Sequence, residues 1–592
     1  MADAAVAMTQ AAPAAEGRRF SISAEWLTGR SFSFRAEPTG VLFSRGFVFE
    51  PDGAISGYEH PNEVRWRLDD GRLEVLNFEG KPSCILNGYQ VGDNVKTLRG
   101  PFINADRPQP ETQVVHVFDE NPDDGREIVS TFDLFDTLVA RRCYDPTEIF
   151  AIVERQSGVS GFAKRRRQVE MAMFGRRLYT FDDIYAQLAA EEGWAERQRS
   201  VLQMMELTAE WDNLYAIRET VAKVRRRDLI ISDMYLPADF IRKVAAEKCG
   251  LTGNAVVVSN YGKHLGVVWP HLLQRYNIFR HFGDNPHADI VSPKQHGIEG
   301  RYISTAQWSA AEKILIECGL RPFAQALRET RLTSFDVNPW LRAAQVAQTE
   351  FNLPFLLICS VFLLLKAREK QADTLLLCAR DCNLLLPILT AIARHEPTAR
   401  RIHYIAASRK VFYSGQPEYE AYFRSMMGRQ NLLIDIVGTG QSLCHFIHSL
   451  GEDARVTPMP LVGDPQVEGF GGIKLECLTK QPFSPVRMAL EAFNMSLDGT
   501  ALSCRFDNYQ LQVSRAENEF NPHLRQVIMA MKAVANTLVG TLVNGCYWVA
   551  PDDLDKSALE TAAEKLLSLV PQHMALVHPI TQAMAALEKR GV

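Results

Sequence analysis

The sequence predicts an α/β multidomain protein: a Rossmannoid parallel-sheet domain with a helical insert, preceded by a small antiparallel β module and followed by a second α/β section. Three observations carry this. Short buried-strand runs alternate with helical stretches from about residue 126 onward. Residues 20–117 instead hold short alternating runs broken by Gly, Pro, Asp and Asn. A chain of 592 residues also exceeds what one core organises, the prior at that length being roughly three to five domains.

Composition narrows the class. The chain is 46% hydrophobic and 23% charged, as soluble globular proteins are, and its formal charge of −5 is small for its size. No global basic field exists to attract nucleic acid, so none is expected as a partner. Eleven cysteines are scattered with no CxxC pair; the closest are Cys378 and Cys382. That pattern fits buried thiols better than a disulfide framework or a zinc site. "MADAAVAMTQAAPAAEGRR", residues 1–19, is Ala-rich without an early basic region, and reads as a disordered lead-in rather than a secretory signal. The most apolar stretch, Leu353 to Lys366, falls short of the roughly 20 residues a bilayer span needs. A buried core helix, no membrane span and a cytoplasmic location are expected.

The β module spans 20–117. "GRSFSFRAEP", "GVLFSRGFVFEPDG" and "NEVRWRLDDGRLEVLNFEG" alternate as half-buried strands do, and "DDG" between Leu68 and Leu73 is a hairpin signal. Its aromatics suit either a core or a glycan surface. "FDENPDDGRE", residues 118–127, is a polar linker.

The first α/β domain is read as 126–330. "IVSTFDLFDTL" is β-branched and aromatic without alternation, as a fully buried strand is. A helical insert follows, about 141–227. "DPTEIFAIVERQ" opens on Asp-Pro, and "TFDDIYAQLAAEEG" carries Thr or Asp as a cap and stops near Gly193. "RDLIISDMYLP", "AVVVSN" and "RHFGDN" are further strands, with "ADFIRKVAAEKCG" a helix between the first two. Such alternation implies a parallel sheet with helices on both faces. A second α/β domain, 335–465, is carried by "DTLLLCARD", "RIHYIAASR" and "NLLIDIVGTGQS". Residues 466–592 are mixed and mainly helical, as in "NPHLRQVIMAMKAVANTLVG".

Ligands of open parallel sheets bind at the carboxyl ends of strands. In the first α/β domain the strands end at Asp133, Ser232 and Asp284, and "SNYGKHLG" supplies Lys263 between the last two. A carboxylate, a hydroxyl, a cation and further acids suit phosphoryl transfer. The carboxylate attacks phosphorus, the lysine and Mg2+ cancel charge on the equatorial oxygens, and the hydroxyl holds the phosphate in line.

These four stretches, in this order, resemble the motifs of the haloacid dehalogenase-like (HAD) superfamily over roughly residues 126–305. "FDLFDTLV" resembles motif I, with Asp133 matching the nucleophile and Thr137 the motif threonine. "LIISD" resembles motif II through Ser232, and "YGKHLG" resembles motif III through Lys263, with Lys294 as its rival. "FGDNPHAD" resembles motif IV, with Asp284 and Asp289 matching the magnesium-site carboxylates. "FDLFDTL" with "ISDMYLP" is similar to a branch associated with surface-polysaccharide and glycosyltransferase genes. The resemblance implies a phospho-aspartate hydrolase or transferase. Mg2+ would be held by Asp133, the Phe135 backbone carbonyl, Asp284 and Asp289, and the insert would act as a cap. It also implies a small phosphorylated substrate, a sugar phosphate foremost, and a glycan or glycosyltransferase partner.

One position departs from the family pattern. Phe135 stands where HAD phosphatases carry a second Asp, the general acid/base. Asp136 or Asp233 would then supply the proton. Otherwise the chain is a hydrolytic dehalogenase, or a phosphate-binding module with little turnover in polysaccharide assembly.

The second α/β section holds a candidate anion loop, Asp435, Gly438, Thr439, Gly440 and Ser442, in the order strand, small-residue loop, helix. It looks distantly like the ribose-phosphate loop of phosphoribosyltransferases, with Ile434 in place of one of that loop's two acids. Arg380, Asp381, Ser408 and Arg409 also follow strands of this section.

Overall fold

The computed structural model describes residues 18–573, except 70, 92–94, 104–113, 123–124, 175, 177, 452, 483, 508–509, 518–519, 546 and 551–553. The expected lead-in lies almost wholly outside the described residues. The chain divides into two compact units, one of residues 1–140 and 147–305, the other of 141–146 and 306–592. Both carry a parallel sheet, and the first also carries an antiparallel sheet curled nearly into a barrel.

The antiparallel sheet takes β1 (Ser31–Glu37), β2 (Leu42–Phe49), β3 (Ile55–Ser56), β4 (Arg65–Asp69), β5 (Arg72–Leu76), β6 (Pro82–Val91), β7 (Val95–Pro101) and β8 (Val115–Glu120). Their order is β3-β2-β1-β8-β7-β6-β5-β4. The two edges meet where Ile55 N–H donates to the Val64 carbonyl and Trp66 N–H to that of Gly53, at 3.2 and 2.8 Å. Strands β4 and β5, on either side of "DDG", pair antiparallel with Leu68 opposite Leu73; Asp70 of that turn lies outside the described residues. Alternate residues turn inward, as strand geometry requires. Phe32, Phe34, Phe47, Phe49, Trp66 and Phe118 fill the interior, and Phe34 stacks on Phe118 at 4.3 Å. Most of the aromatics considered for a glycan surface are therefore core. This sheet and the parallel one share a unit: Arg227 pairs with Glu50 at 2.7 Å, and Arg280 donates to the Gly57 carbonyl.

The first parallel sheet comprises β9 (Glu127–Phe132), β10 (Leu229–Ser232), β11 (Ala255–Val258), β12 (Tyr276–Gly283) and β13 (Glu299–Tyr302). The order is β11-β10-β9-β12-β13, and every pairing is parallel. Strand β13 was not legible, since "EGRY" is polar and sits at an edge. The insert between β9 and β10 is α1 (Glu148–Ser157), α2 (Phe162–Met173), α3 (Phe181–Glu192) and α4 (Glu196–Asn213). Thr180 and Asp183 form a full capping box on α3, which ends at Gly193 with φ 68°.

The sequence-based boundaries need two corrections. Residues 306–330 were assigned to the first α/β domain. They belong to the second unit, where α5 (Ala310–Glu317) and α6 (Arg321–Thr333) bury Ala311, Leu315, Phe323 and Leu327 in its core. Residues 466–592 were separated from 335–465, but the described part shares the same core. Its helices α9 (Pro522–Asn544) and α10 (Lys556–Leu567) bury Met531, Leu538, Leu559 and Leu566 there, around α7 (Leu353–Glu369). Helix α7 is apolar on every side because it is covered on every side. The length argument made for it does not hold: with the preceding turns it forms a 31-residue helix, Pro339–Glu369. That helix and Pro522–Asn544 are both long and apolar enough to cross a membrane; the apolar window of the first is 89% buried, that of the second 39%.

The second parallel sheet is β14 (Thr374–Cys378), β15 (Arg401–Ile405), β16 (Asn431–Val437), β17 (Val456–Gly463) and β18 (Thr479–Lys480), in the order β15-β14-β16-β17-β18. The ten described cysteines are unbridged, and nine are buried.

Candidate functional site

The site is built at the carboxyl edge of the first parallel sheet. Strand β9 ends at Phe132, and Asp133 N–H is tied to the Phe282 carbonyl on β12 at 2.8 Å. This brings the ends of β9 and β12 side by side. Strand β10 lies on the other flank of β9 and ends at Ser232, which is buried and accepts from Met234 N–H at 3.4 Å.

Lys263 reaches this edge from the loop after β11. Its Nζ lies 2.5 Å from Asp133 Oδ1 and 2.6 Å from Asp289 Oδ1, with only 2% of the residue exposed. Four contacts fix that loop. Asp233 accepts from the N–H groups of Lys263 and His264, both at 2.8 Å, and from the Ser259 hydroxyl. Ser292 Oγ donates to the Lys263 carbonyl at 2.7 Å. Asp233 is thus a loop organiser, and with its oxygens committed it is a poor choice for the missing acid/base. Lys294 is exposed and takes no part.

Asp289 is fully buried. Its Oδ1 faces His281 Nε2 at 2.9 Å as well as Lys263, and its Oδ2 accepts from Asn285 N–H at 2.8 Å. His281 Nδ1 meets Thr131 Oγ1 at 2.8 Å. A Cβ at Gly283 would overlap the Asp289 carboxylate at 2.2 Å, so only glycine lets β12 pass this close. Thr131, His281 and Gly283 were missed as site supports. The one signal was a histidine within an otherwise apolar strand, "RHFGDN".

Oxygens of Asp133, Asp284 and Asp289 all lie within 4.8 Å of one another, the one such ligand group of three or more among the described residues. Their electrostatics follow from burial. Burial pushes Asp133 well above the usual carboxylate range, against the pull of Lys263. Burial, then the charges of Asp136 and Asp289, push Asp284 up to about 7. Burial alone would raise Asp289, but Lys263 and His281 hold it below the usual range. Burial would likewise lower Lys263, and the carboxylates around it raise it instead.

Asp136 is turned by a positive φ of 55° in the tight bend after β9, and its charge is felt at Asp284. The chain bends before strand alternation can point this side chain away. Phe135 is buried beside it at 8% exposure. Thr137 is completely buried, and its hydroxyl has no partner among the described residues.

The helical insert is fastened over the same edge. Phe181 N–H donates to the Tyr235 carbonyl at 3.0 Å, Arg166 Nη2 donates to Tyr235 Oη at 3.0 Å, and Asn260 donates to the Tyr179 carbonyl. Tyr235 and Asn260 belong to the loops after β10 and β11, so the insert is tied to the loops that present Ser232 and Lys263.

In the second unit, Asp435 lies within β16, and Gly438, Thr439 and Gly440 lead into α8 (Gln441–Leu450, between β16 and β17), with Ser442 in its first turn. Gly440 has φ 74°. Ser408 caps a short helix through Val411 N–H at 3.2 Å and donates to the Ala501 carbonyl at 2.6 Å, a structural role.

No family model matches the chain, and no curated protein matches it.

Proposed function

We propose that the first unit is a Mg2+-dependent phosphohydrolase or phosphotransferase of the HAD-like kind, acting through a phospho-aspartate on Asp133. The observation that carries the proposal is charge balance in a confined space. When all are ionised, three carboxylates and one ammonium leave two negative charges at one strand edge, and a divalent cation would offset them and hold the raised carboxyls of Asp133 and Asp284 in their ionised form.

The donor set suits that cation, because carboxylate oxygens are the ligands Mg2+ prefers. Asp133 and Asp284 would hold it, with Asp289 beside them; the Phe135 carbonyl is the fourth ligand the resemblance implies. Bound there, Mg2+ withdraws charge from phosphoryl oxygens. Asp133 attacks phosphorus, and its carboxylate oxygen forms the new bond as the ester oxygen departs. Lys263 favours the ionised form of Asp133 against the effect of burial and neutralises the transferred group. Ser232 donates a hydrogen bond to a phosphoryl oxygen. Asp136 is the group best situated to protonate the leaving oxygen and later to deprotonate water, the role Phe135 cannot fill. The insert over the edge excludes bulk water and contacts the non-reacting part of the substrate. Sugar phosphates of polysaccharide metabolism are the proposed substrate class, on the resemblance of "FDLFDTL" and "ISDMYLP" alone.

The test is a panel of phosphorylated metabolites assayed for phosphate release with wild type and Asp133→Asn, each with Mg2+ and with EDTA. Release by wild type only, and only with Mg2+, is expected. Halide release from haloalkanoates in EDTA would assign carbon chemistry instead. Ligand binding without turnover would assign a non-catalytic module.

A further inference from the structure

The loop between β3 and β4 contains "HPNE", residues 60–63. Proline suits the second position of a β-turn, and Glu63 N–H donates to the His60 carbonyl at 3.0 Å to close one. Phe78 N–H holds the turn through the Pro61 carbonyl at 2.9 Å. The turn brings the side chains of its first and last residues together: His60 Nδ1 lies 3.0 Å from Glu63 Oε2. Asn62 N–H donates to the same nitrogen at 3.3 Å. A ring nitrogen that accepts carries a lone pair and no proton. Nitrogen and carboxylate are then two acceptors face to face, and something positive has to stand between them, a proton or a metal ion.

Glu63 is buried at 3% exposure, and its other oxygen faces a second imidazole. His116 Nδ1 lies 3.9 Å from Glu63 Oε1, too far for a hydrogen bond. His116 is on β8, in register with Ala36 of β1 and Gly100 of β7. Its ring is fixed by stacking on Phe102 at 4.8 Å and by an edge contact with Phe34 at 4.9 Å. The side chain is 6% exposed, yet Nδ1 has no hydrogen-bond partner among the described residues. Buried polar atoms are nearly always satisfied, so an open nitrogen turned toward a buried carboxylate calls for an explanation.

Two imidazoles and a carboxylate are a zinc ligand set that leaves a fourth position for water. Burial disfavours a protonated imidazole, so His116 presents the neutral ring that ligates. Donor atoms around four-coordinate zinc lie roughly 3–3.5 Å apart, given bonds of about 2.0–2.1 Å. The two approaches to Glu63, 3.0 and 3.9 Å, straddle that spacing. The three ligand atoms do not all lie within 4.8 Å of one another, as those of the carboxylate trio do. His60 closes the difference, because its side chain is 47% exposed on a loop, whereas the His116 ring is fixed on a strand. Its nitrogen donors set this cluster apart from the all-oxygen trio at Asp133, which suits Mg2+.

We infer that His60, Glu63 and His116 form a separate site for a divalent transition-metal ion, Zn2+ foremost, in the antiparallel β module. The ion takes the place of the proton between His60 and Glu63, which is released on binding, and it supplies the His116 nitrogen with a partner.

Co2+ is the probe, since its visible absorption distinguishes a four-coordinate ion with nitrogen ligands from one held by six oxygens. It is titrated into the full chain and into Asp133→Asn. One four-coordinate Co2+ per chain, displaced by Zn2+, is expected in both. Affinity should fall more than tenfold in His60→Asn and in His116→Gln, since even the loss of an outer-shell partner costs about ten- to a hundredfold. Asparagine at 60 keeps a hydrogen-bond partner for Glu63 on an exposed loop, so His60→Asn decides the matter should His116→Gln fold poorly. Absorption of the six-oxygen kind alone, or four-coordinate Co2+ lost in Asp133→Asn, assigns the ion to the carboxylate trio and overturns the site. So does four-coordinate binding unchanged in His60→Asn, or no binding at micromolar Co2+. None of these outcomes depends on phosphohydrolase activity.

Discussion

Asp284 and Asp289 come from one short motif, yet the structure assigns them opposite effects on stability. Asp289 is fully buried and meets Lys263 at 2.6 Å and His281 at 2.9 Å. Its carboxyl is held below the unfolded value, so its stabilisation is present above about pH 4 and is lost only in stronger acid. Asp289→Asn breaks a buried pair and should cost about 3–5 kcal/mol, toward the lower end because Lys263 keeps Asp133. Asp284 is half-buried, and its carboxyl is raised from 3.8 to about 7. Ionising it in the folded protein is therefore a penalty, absent below about pH 4 and complete above about pH 7. The gap is worth at most ~4 kcal/mol at 1.36 kcal/mol per pH unit, and partial solvent screening leaves ~1–2 kcal/mol. Asp284→Asn should therefore stabilise the metal-free protein by ~1–2 kcal/mol at pH 8 and do nothing near pH 4. Urea unfolding at pH 8 in EDTA, following the unit of residues 1–140 and 147–305, measures both variants. Added Mg2+ should raise the wild-type midpoint by mass action and leave Asp284→Asn almost unmoved. Equal destabilisation by the two substitutions, or a full Mg2+ response in Asp284→Asn, would refute the charge arrangement described.

Three other outcomes are expected. Glu63 is 3% exposed, and burial pushes it up to about 8; its folded value lies above its unfolded one, so stability should fall between about pH 5 and 8. Glu63→Gln should remove ~2–4 kcal/mol of that slope in pH-dependent urea unfolding, and an unchanged slope would show that the carboxyl is hydrated. In the helical insert, fully buried Arg166 pairs with Glu206 at 2.7 Å; Arg166→Met should cost about 3–5 kcal/mol, with Arg166→Met/Glu206→Gln recovering part of it in the same assay. Phe135→Asp should raise steady-state turnover if proton transfer limits the reaction, and an unchanged rate would leave Asp136 as the sufficient acid/base.

What was legible in the sequence was local. Three strand ends of the first α/β domain, and the loop after a fourth strand, carried their reactive residues on short local patterns, so Asp133, Ser232, Asp284 and Lys263 were singled out without contacts. The capping box at Thr180 and the stop at Gly193 were equally local, because backbone geometry at a helix end is set by two or three neighbouring residues. The hairpin at "DDG" belongs with them.

What failed was everything decided at a distance. "EGRY" forms a strand because β12 offers an edge, not because the segment is apolar. Residues 310–333 and 522–567 read as helices in either unit; only the complementary apolar face of α7 assigns them to the second. Asp136 needed the bend after β9, and Asp233 looked free until the Lys263 loop folded onto it.

By itself the sequence determined the succession of the buried strands and the reactive residues that follow them, since hydrophobic period and turn chemistry act over a few residues. Only the tertiary structure decided that Lys263 lies between Asp133 and Asp289 and that His281 supports Asp289. Those facts depend on strand neighbours and burial, and both arise when segments far apart in the chain exclude water together.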